Sequence, residues 1–301
     1  MAQYVMGVDG GGTGTVYELR DAHSGAFILR GETGAMTPFV PEALRMTAQS
    51  LCKVIRETPG ECVMLRCGCA GAGEDAMAEK VKTTLENAGI YCPVSVVGDH
   101  VNALDTAFGD GDGAIIIAGT GSVAYARQRG NYCRAGGRGH VFDDSGSAYA
   151  IGRDMLACVV RASDGRGRAS ALTDIVFEAA GVGDIGALTT YYTSPARVKS
   201  DIAALAGRLD EALEQGDMAA LEIAQRAAAE LAVTAGAVCA RLDGPQRLAM
   251  TGSVLMKNAC IRGLFIERLK TASPDTEPFI LEKRAETGAA QKAIELIRSK
   301  S

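Results

Sequence analysis

Two glycine-rich turns, each lying between two apolar segments, constrain the fold of this chain most strongly. The first is "GVDGGGTGT" (7–15), which follows "YVMGV" and leads into the strand-like "VYELR". The second is "AGTGS" (118–122), which follows "AIII" and leads into "VAYAR". Glycines directly after a buried strand allow a ligand to approach the backbone, and outward-pointing amides suit phosphate oxygens.

Both turns lead into a further strand, which separates them from a GxxxxGK[ST] loop and from a GxGxxG turn that opens a helix. A third turn, "TGSV" (251–254), follows the apolar "RLAM". One such turn can be purely structural, since glycine after a strand often makes only a tight turn. Three of them favour convergence on one cleft that binds a nucleotide.

The order of apolar segments predicts an α/β fold with two related halves. Strands are expected near 4–8, 16–20 and 26–30, and a helix over about 41–56. From residue 62 onward strands alternate with helices, which implies parallel strands joined by crossovers. Because the opening plan recurs at residue 113, we predict one lobe from residues 1–112 with the C-terminal helix 286–301, and a second lobe from residues 113–285.

Composition excludes several classes of partner. The net charge of −5 and the pI near 5.4 give no general attraction to nucleic acid or to anionic lipid. The apolar segment 219–240 is interrupted by Glu222, Arg226 and Glu230, whose burial in a membrane would be costly. We expect a cytoplasmic protein without a nucleic-acid or membrane partner, and leave a homodimer open.

The nine cysteines include no CxxC pair and no metal-ligand spacing with histidine. We therefore expect most of them to be reduced and buried as small core residues. Cys67 and Cys69 would face the same side of a strand, which leaves a metal or redox role open.

The three turns resemble the first phosphate, second phosphate and adenosine motifs of the superfamily of actin, hexokinase and heat-shock chaperone ATPases. A more specific resemblance lies in "GGRGHVFDDSGSAYAIGR" (136–153), which is similar to a segment of N-acetylglucosamine kinases and of the wider BadF/BadG/BcrA/BcrD ATPase family. The resemblance covers nearly the whole chain. It implies two actin-like (ribonuclease H-like) lobes with a nucleotide cleft between them, and ATP-dependent phosphorylation of a hexose or amino sugar such as glucose or N-acetylglucosamine.

A kinase of this kind needs phosphate contacts, a metal ligand and a base. We expect Mg²⁺ to be bound with the help of Asp9, although this side chain could also cap a turn. Asp99, in "VVGDHVNAL", resembles the catalytic aspartate of the family, with an N-cap as its structural alternative. The residues expected to contact the phosphates of ATP are Gly10, Gly11, Gly12, Thr13, Gly14, Thr15, Gly119, Thr120, Gly121 and Ser122, and those expected beside the adenosine are Gly252 and Ser253.

The resemblance also implies an acceptor site, although its usual pattern is altered here. The expected acceptor contacts, besides Asp99, are Gly71, Ala72, Gly73, Gly137 and Asp144. Asp144 could instead cap the following helix, and His140 is expected to shape the site. The loop that usually supplies an asparagine reads Ala35 and Met36. A tryptophan and a glutamate of N-acetylglucosamine kinases are replaced by Arg138 and Ser145, so acetamido-sugar specificity does not transfer directly.

Two other functions remain open at this stage. Relatives in the same broad family are ATPases that activate a partner redox enzyme, and these hold an iron-sulfur cluster between subunits. The nine cysteines of this chain keep that alternative open. An actin-like module, whose nucleotide state controls partner binding, is the other alternative. The segment "GSAYAIG" favours the kinase.

Overall fold

The computed structural model describes residues 2–244 and 246–299, which form two compact units. Unit 1 comprises the described part of residues 1–111 together with that of residues 282–301, and unit 2 comprises the described part of residues 112–281. Each unit is built on one five-stranded mixed sheet, with helices packed against it. The C-terminal helix therefore belongs with the start of the chain.

The sheet of unit 1 joins an antiparallel meander to two parallel strands, in the order β3-β2-β1-β4-β5. Its strands are β1 (Gln3–Gly10), β2 (Thr15–Asp21), β3 (Phe27–Thr33), β4 (Glu61–Cys69) and β5 (Val94–Gly98). Its helices are α1 (Pro41–Glu57), α2 (Asp75–Asn87), α3 (Asp99–Phe108) and, at the end of the chain, α12 (Ala285–Arg298). The predicted strands and crossovers of this half are confirmed.

The register of the three parallel strands fixes where their loops begin. Gly10 of β1 lies beside Cys69 of β4, and Cys69 lies beside Gly98 of β5. These are the last residues of their strands, so the turn after β1, the loop after β4 and the helix after β5 leave the sheet from the same edge. Ligand sites of α/β sheets lie outside the carboxyl ends of strands, which makes this edge the place to look for one.

Alternation along β1 distributes its side chains between the two faces of the sheet. Tyr4, Met6 and Val8 pack on one side with the buried residues of α1 and α2. Val5 packs on the other side with Ala290 and Ile294 of α12. A Cβ on Gly7 would collide with the backbone of Glu286 and Ala290, so this glycine is what allows α12 to lie directly on the strand.

Unit 2 repeats the arrangement of the first sheet. Its strand order is β8-β7-β6-β9-β10, in which β8, β7 and β6 form the antiparallel meander and β9 and β10 are parallel to β6. Its strands are β6 (Gly113–Ala118), β7 (Ser122–Gln128), β8 (Asn131–Gly136), β9 (Gln246–Thr251) and β10 (Thr276–Ile280). Its helices are α4 (Ala148–Ser163), α5 (Leu172–Ala180), α6 (Ile185–Thr193), α7 (Lys199–Ala204), α8 (Leu209–Glu214), α9 (Met218–Cys239), α10 (Ser253–Lys257) and α11 (Ala259–Ala272), with a 3₁₀ turn at Leu205–Arg208. The predicted recurrence of the opening plan is confirmed.

The long helix α9 packs on β6, β7 and β8 through a face rich in alanine. Small side chains bring the helix close to the sheet, and its charged residues Glu222, Arg226 and Glu230 lie on the opposite, solvent-facing side. None of the helices within the described residues has both the length and the apolar character needed to cross a membrane.

The nine cysteines are free thiols, but the expectation that most are buried is wrong. Four are buried, namely Cys52, Cys67, Cys69 and Cys239, and the other five are partly exposed at the margins of the cores. Cys67 and Cys69 both contact Met36, as expected for neighbours on one face of β4. Within the described residues, no cluster of three or more histidine, cysteine or acidic side chains could hold a metal ion.

We predict that Gly7→Ala strongly destabilises the protein, because the new methyl group would meet the backbone of α12 and force it off the sheet. Overpacking of this kind costs about 1 to 3 kcal/mol in the free energy of unfolding. Gly263→Ala is the matched control, since Gly263 lies within α11 and a Cβ there meets no atom within 4 Å. Urea unfolding should show no loss for the control, and an equally stable Gly7→Ala variant would contradict the prediction.

Candidate functional site

The first glycine turn is held by backbone hydrogen bonds and exposes its tip. The Gly11 amide donates to the Gly14 carbonyl at 2.9 Å, while Gly12 and Thr13 are exposed. The glycines of this turn do not adopt a left-handed φ, so backbone freedom is not why they are needed. Open space around Gly12 favours close approach of a ligand instead. The buried Thr15 hydroxyl has no hydrogen-bond partner in the described part of the chain.

Two further loops of unit 1 are attached to this turn. The Ala70 amide donates to the Gly10 carbonyl at 2.8 Å, and the Met36 amide donates to the Gly11 carbonyl at 2.9 Å. Met36 is fully buried, with its sulfur 3.7 Å from Cys67 Sγ. In the loop that usually supplies an asparagine to the sugar, the Met36 side chain therefore packs into the core.

Asp9 lies at the end of β1 in an acidic environment. Burial, followed by the charges of Glu286 and Asp99, raises the pKa of Asp9 to about 6, against the opposing effect of a hydrogen bond from Asn102. Its turn-cap alternative is not supported, because its partners lie on α3 and α12 rather than in the turn. The acidic neighbours therefore disfavour a further negative charge on Asp9.

Asn102 and Glu286 are site residues that the sequence reasoning missed. Asn102 is fully buried, and its Nδ2 donates to the Ala285 carbonyl at 3.3 Å, while its Oδ1 has no partner within the described residues. Glu286 is 5% exposed and is held by Arg30 Nε at 3.0 Å from its Oε1. Asn102 follows Asp99 by one helical turn, which is a signal that could have been used. Glu286 lies nearly 280 residues from Asp9, and no sequence pattern joins them.

Asp99 is the first residue of α3, and Gly98 is the N-cap. The N-cap alternative is therefore wrong for Asp99. Its Oδ1 accepts a hydrogen bond from the His100 amide at 3.0 Å, and 45% of the side chain is exposed. A carboxylate that is fixed at one oxygen and open to solvent can accept a proton from an incoming hydroxyl.

The loop after β4 brings the predicted acceptor residues of unit 1 beside Asp99. Gly71 has a left-handed φ of 85°, Ala72 is buried and Gly73 is exposed. A Cβ on Gly73 would lie 3.0 Å from the ring of His100, and one on Gly98 would collide with the same ring. These two glycines thus make room for His100, another residue that the sequence reasoning passed over.

The second glycine turn, in unit 2, packs against the side chain of Asp144, which is a predicted acceptor residue. The Gly119 amide donates to the Gly121 carbonyl at 2.9 Å, and a Cβ on Gly121 would lie 3.0 Å from the Asp144 carboxylate. Asp144 is 4% exposed and adopts a left-handed φ of 62°. Ser147, not Asp144, caps α4, so the capping alternative for Asp144 is wrong.

Lys199 is the charged partner of Asp144, and no sequence pattern indicated this pairing. Its Nζ lies 2.6 Å from Asp144 Oδ2, although 55 residues separate the two in the chain. Asp144 Oδ1 accepts a longer hydrogen bond of 3.4 Å from the Ser122 amide. The Ser122 hydroxyl donates to the Ser145 carbonyl at 2.7 Å, so the turn and the Asp144 segment form one structure.

The third turn lies directly beside the second. Gly252 has a left-handed φ of 91°, and a Cβ on it would collide with the backbone of Ala118, the residue before the second turn. Ser253 is exposed and begins α10. Parallel pairing of β6 with β9 brings the two turns together, since Ile117 lies beside Thr251.

The remaining predicted residues lie on the loop that follows β8. Gly137 has a left-handed φ of 73°, and its carbonyl accepts a hydrogen bond from Arg134. Arg138 is exposed, and across residues 2–244 and 246–299 its side chain makes no ion pair. The His140 ring packs edge-on against Tyr149, with centroids 4.8 Å apart, which agrees with a shaping role.

The predicted residues therefore fall into two groups. Unit 1 brings together the first turn, Asp9, Asp99 and the loop of Gly71, Ala72 and Gly73. Unit 2 brings together the second and third turns and Asp144. Each group lies at the carboxyl ends of parallel strands.

The pKa of Asp9 gives a prediction about pH and stability. The folded protein holds a proton on Asp9 up to about pH 6, whereas the ordinary pKa is 3.8, so the stability of the wild type falls as pH rises through this window. Asp9→Asn removes this effect. We expect the variant to be more stable than the wild type by about 1 to 3 kcal/mol at pH 7, and the gain to shrink towards pH 4.

The check is urea unfolding without nucleotide at pH 4, 5, 6 and 7, with Asp243→Asn as the control because Asp243 is 74% exposed. A stability difference between Asp9→Asn and the wild type that does not change with pH would contradict the burial of this charge.

Comparison with known proteins places the sequence in a family. Residues 6–291 match the model of the BadF/BadG/BcrA/BcrD ATPase family. The N-acetylmuramic acid/N-acetylglucosamine kinase of Clostridium acetobutylicum is 26% identical over 78% of this chain and 79% of its own. The glucosamine kinase GspK of Vibrio cholerae is 25% identical over 83% of this chain and 85% of its own.

Solved structures agree at the level of the fold. A Chromobacterium violaceum protein described as a candidate N-acetylglucosamine kinase superimposes with a TM-score of 0.76, at 23% identity over 97% of this chain and 99% of that one. A ROK family glucokinase from Streptomyces griseus, in complex with glucose and AMPPNP, gives 0.62 at 17% identity, over 97% and 99% of the two chains. With the family model covering nearly the whole sequence, the chain belongs to the BadF/BadG/BcrA/BcrD ATPase family.

Proposed function

We propose that this protein is an ATP-dependent kinase that phosphorylates a hydroxyl group of an amino sugar or hexose. The observation that carries the proposal is the half-exposed carboxylate of Asp99, which lies at the same edge of a sheet as the first glycine turn and Asp9. Amino sugars are the first choice of acceptor, because the similar proteins from Clostridium acetobutylicum and Vibrio cholerae are both named as amino-sugar kinases.

ATP is the phosphoryl donor in this proposal, and its contacts are assigned to the turns of both units. The residues assigned to the phosphates are Gly10, Gly11, Gly12, Thr13, Gly14, Thr15, Gly119, Thr120, Gly121 and Ser122. Exposed turn tips and unhindered glycine positions at Gly12 and Gly119 support this role, because backbone amides can approach phosphate oxygens there. Gly252 and Ser253 are assigned to the adenosine.

The residues around Asp9 fit a magnesium ion. All their potential ligands are oxygen atoms, which Mg²⁺ prefers, and the buried Asn102 Oδ1 is an acceptor without a partner in the described chain. Asp9 would hold the ion directly or through water. Bound Mg²⁺ would spread the negative charge of the phosphates during transfer.

In the proposed reaction Asp99 orients the acceptor hydroxyl and takes its proton as the oxygen attacks the γ-phosphorus of ATP. The phosphorus–oxygen bond to ADP breaks, and the amides of the glycine turns stabilise the charge that develops on the phosphoryl oxygens. Gly71, Ala72, Gly73, Gly137 and Asp144 are the proposed acceptor contacts. They hold the nucleophile in line, and such positioning supplies much of the rate in phosphoryl transfer.

Asp99→Asn tests the assignment of the base. We predict a loss of about 10² to 10⁴-fold in kcat for sugar-dependent ADP release, because the amide cannot take the hydroxyl proton. AMPPNP affinity should stay within about threefold of the wild type. Asp174→Asn is the matched control, since it also replaces an exposed acid in the first turn of a helix.

A panel of sugars and amino sugars makes the same assay a test of function. Release of ADP that no sugar stimulates would contradict the kinase and favour an ATPase that acts on a partner protein. Full turnover by Asp99→Asn would contradict the role of Asp99 alone.

Asp144→Asn tests the acceptor site. We predict that KM for the sugar rises more than tenfold while KM for ATP does not rise, because the amide accepts fewer hydrogen bonds from hydroxyl groups and asparagine tolerates the left-handed φ. The two values come from steady-state kinetics with either substrate varied. Equal increases in both would assign Asp144 a purely structural role.

A further inference from the structure

The ion pair between Lys199 and Asp144 lies directly against the second glycine turn. Lys199 Nζ is 2.6 Å from Asp144 Oδ2, and the Asp144 carboxylate fills the space in which a Gly121 side chain would begin, 3.0 Å from the position of its Cβ. Asp144 is 5% exposed in its side chain, whereas Lys199 is 29% exposed. Only a small part of the carboxylate is exposed, whereas the ammonium group beside it still faces water.

This arrangement creates an electrostatic problem if the turn receives the phosphates of ATP. A buried carboxylate immediately behind Gly121 would repel a phosphate group on the other side of the turn. Charges within a few ångströms interact strongly where water is excluded, so the repulsion would be large without a counter-ion. The Ser122 amide, a predicted phosphate donor, is also turned towards Asp144 Oδ1 at 3.4 Å.

We propose that Lys199 is a positioning residue for ATP binding, which cancels the charge of Asp144 behind the Gly119–Ser122 turn and so allows the turn to accept phosphate. This inference rests on the proposed function, because it takes the turn as a phosphate site. Lys199 acts through Asp144 and the turn, and it is assigned no contact with the reacting atoms.

The position of Lys199 at the start of α7 supports a dedicated role. Asp201 Oδ2 accepts a hydrogen bond from the Val198 amide at 2.7 Å and closes the first turn of this helix. Arg197 lies over the ring of Tyr191, with its guanidinium carbon 3.7 Å from the centroid. The segment on both sides of Lys199 is thereby fixed, which directs the ammonium group to Asp144.

The experiment compares nucleotide binding by calorimetry for the wild type, Lys199→Met, Lys199→Arg, Asp144→Asn and the double variant Lys199→Met/Asp144→Asn. The ligands are AMPPNP, ADP and adenosine, each with Mg²⁺. We expect Lys199→Met to weaken the binding of AMPPNP by about 10- to 100-fold and that of ADP by a smaller factor. Adenosine affinity should fall by less than about twofold, because the unpaired charge of Asp144 repels only ligands that carry phosphates. Lys199→Arg keeps the charge and should retain near wild-type affinity.

The double variant separates charge from structure. It removes both charges together, so AMPPNP affinity should return to within about threefold of the wild type. Lys270→Met is the matched control, since Lys270 is an exposed lysine of α11. If Lys199→Met does not fold, Asp144→Asn tests the inference instead. This variant leaves the Lys199 ammonium group without its counter-ion, so AMPPNP should bind at least about threefold more tightly than to the wild type.

Two outcomes would overturn the inference in different ways. The role of Lys199 alone would be refuted if the wild type binds AMPPNP more tightly than adenosine and Lys199→Met leaves this difference unchanged. An equal loss of affinity for all three ligands would refute the same role. Equal wild-type affinity for adenosine and AMPPNP would refute the phosphate assignment of the turns, and the inference with it.

Discussion

The alignment of three strand ends in unit 1 is the constraint on which the candidate site depends. Parallel pairing places Gly10, Cys69 and Gly98 in one row of the sheet, so the turn after β1, the loop after β4 and the helix after β5 start side by side. Because of this register, the charge of Asp99 lies close enough to Asp9 to contribute to its raised pKa. A shift of one residue in any of the three strands would turn their side chains to the opposite face of the sheet.

The charges around the two glycine turns are balanced differently. In unit 1, burial and then the charges of Glu286 and Asp99 raise the pKa of Asp9, so the ionised form of this side chain costs stability. In unit 2, the buried Asp144 carries its own counter-ion in Lys199. Under the proposed function, a metal ion would supply positive charge at the first turn, whereas the protein itself supplies it beside the second.

The sequence predicted much of this arrangement because the informative residues lie close together in the chain. Strand, glycine turn and outgoing strand form a local pattern, and Asp99 follows an apolar strand directly, so each could be assigned from its neighbours. The glycines of the first turn do not adopt a left-handed φ, and Gly12 leaves open space for close approach of a ligand, as the sequence analysis expects. Asn102, one helical turn after Asp99, carried a local signal of this kind that was not used. Lys199 and Glu286 could not be found in this way, because their contacts join distant segments and a lone lysine or glutamate in a helix has no distinguishing neighbours.

The central claim is that the γ-phosphate of ATP goes to a sugar hydroxyl rather than to water. Phosphorus NMR of a reaction containing wild-type protein, Mg²⁺, ATP and a panel of amino sugars tests this directly, because a sugar phosphate ester and inorganic phosphate give separate signals. We expect one ester signal that grows in proportion to ADP. Inorganic phosphate as the only product with every acceptor, formed at the rate seen without any sugar, would contradict the account.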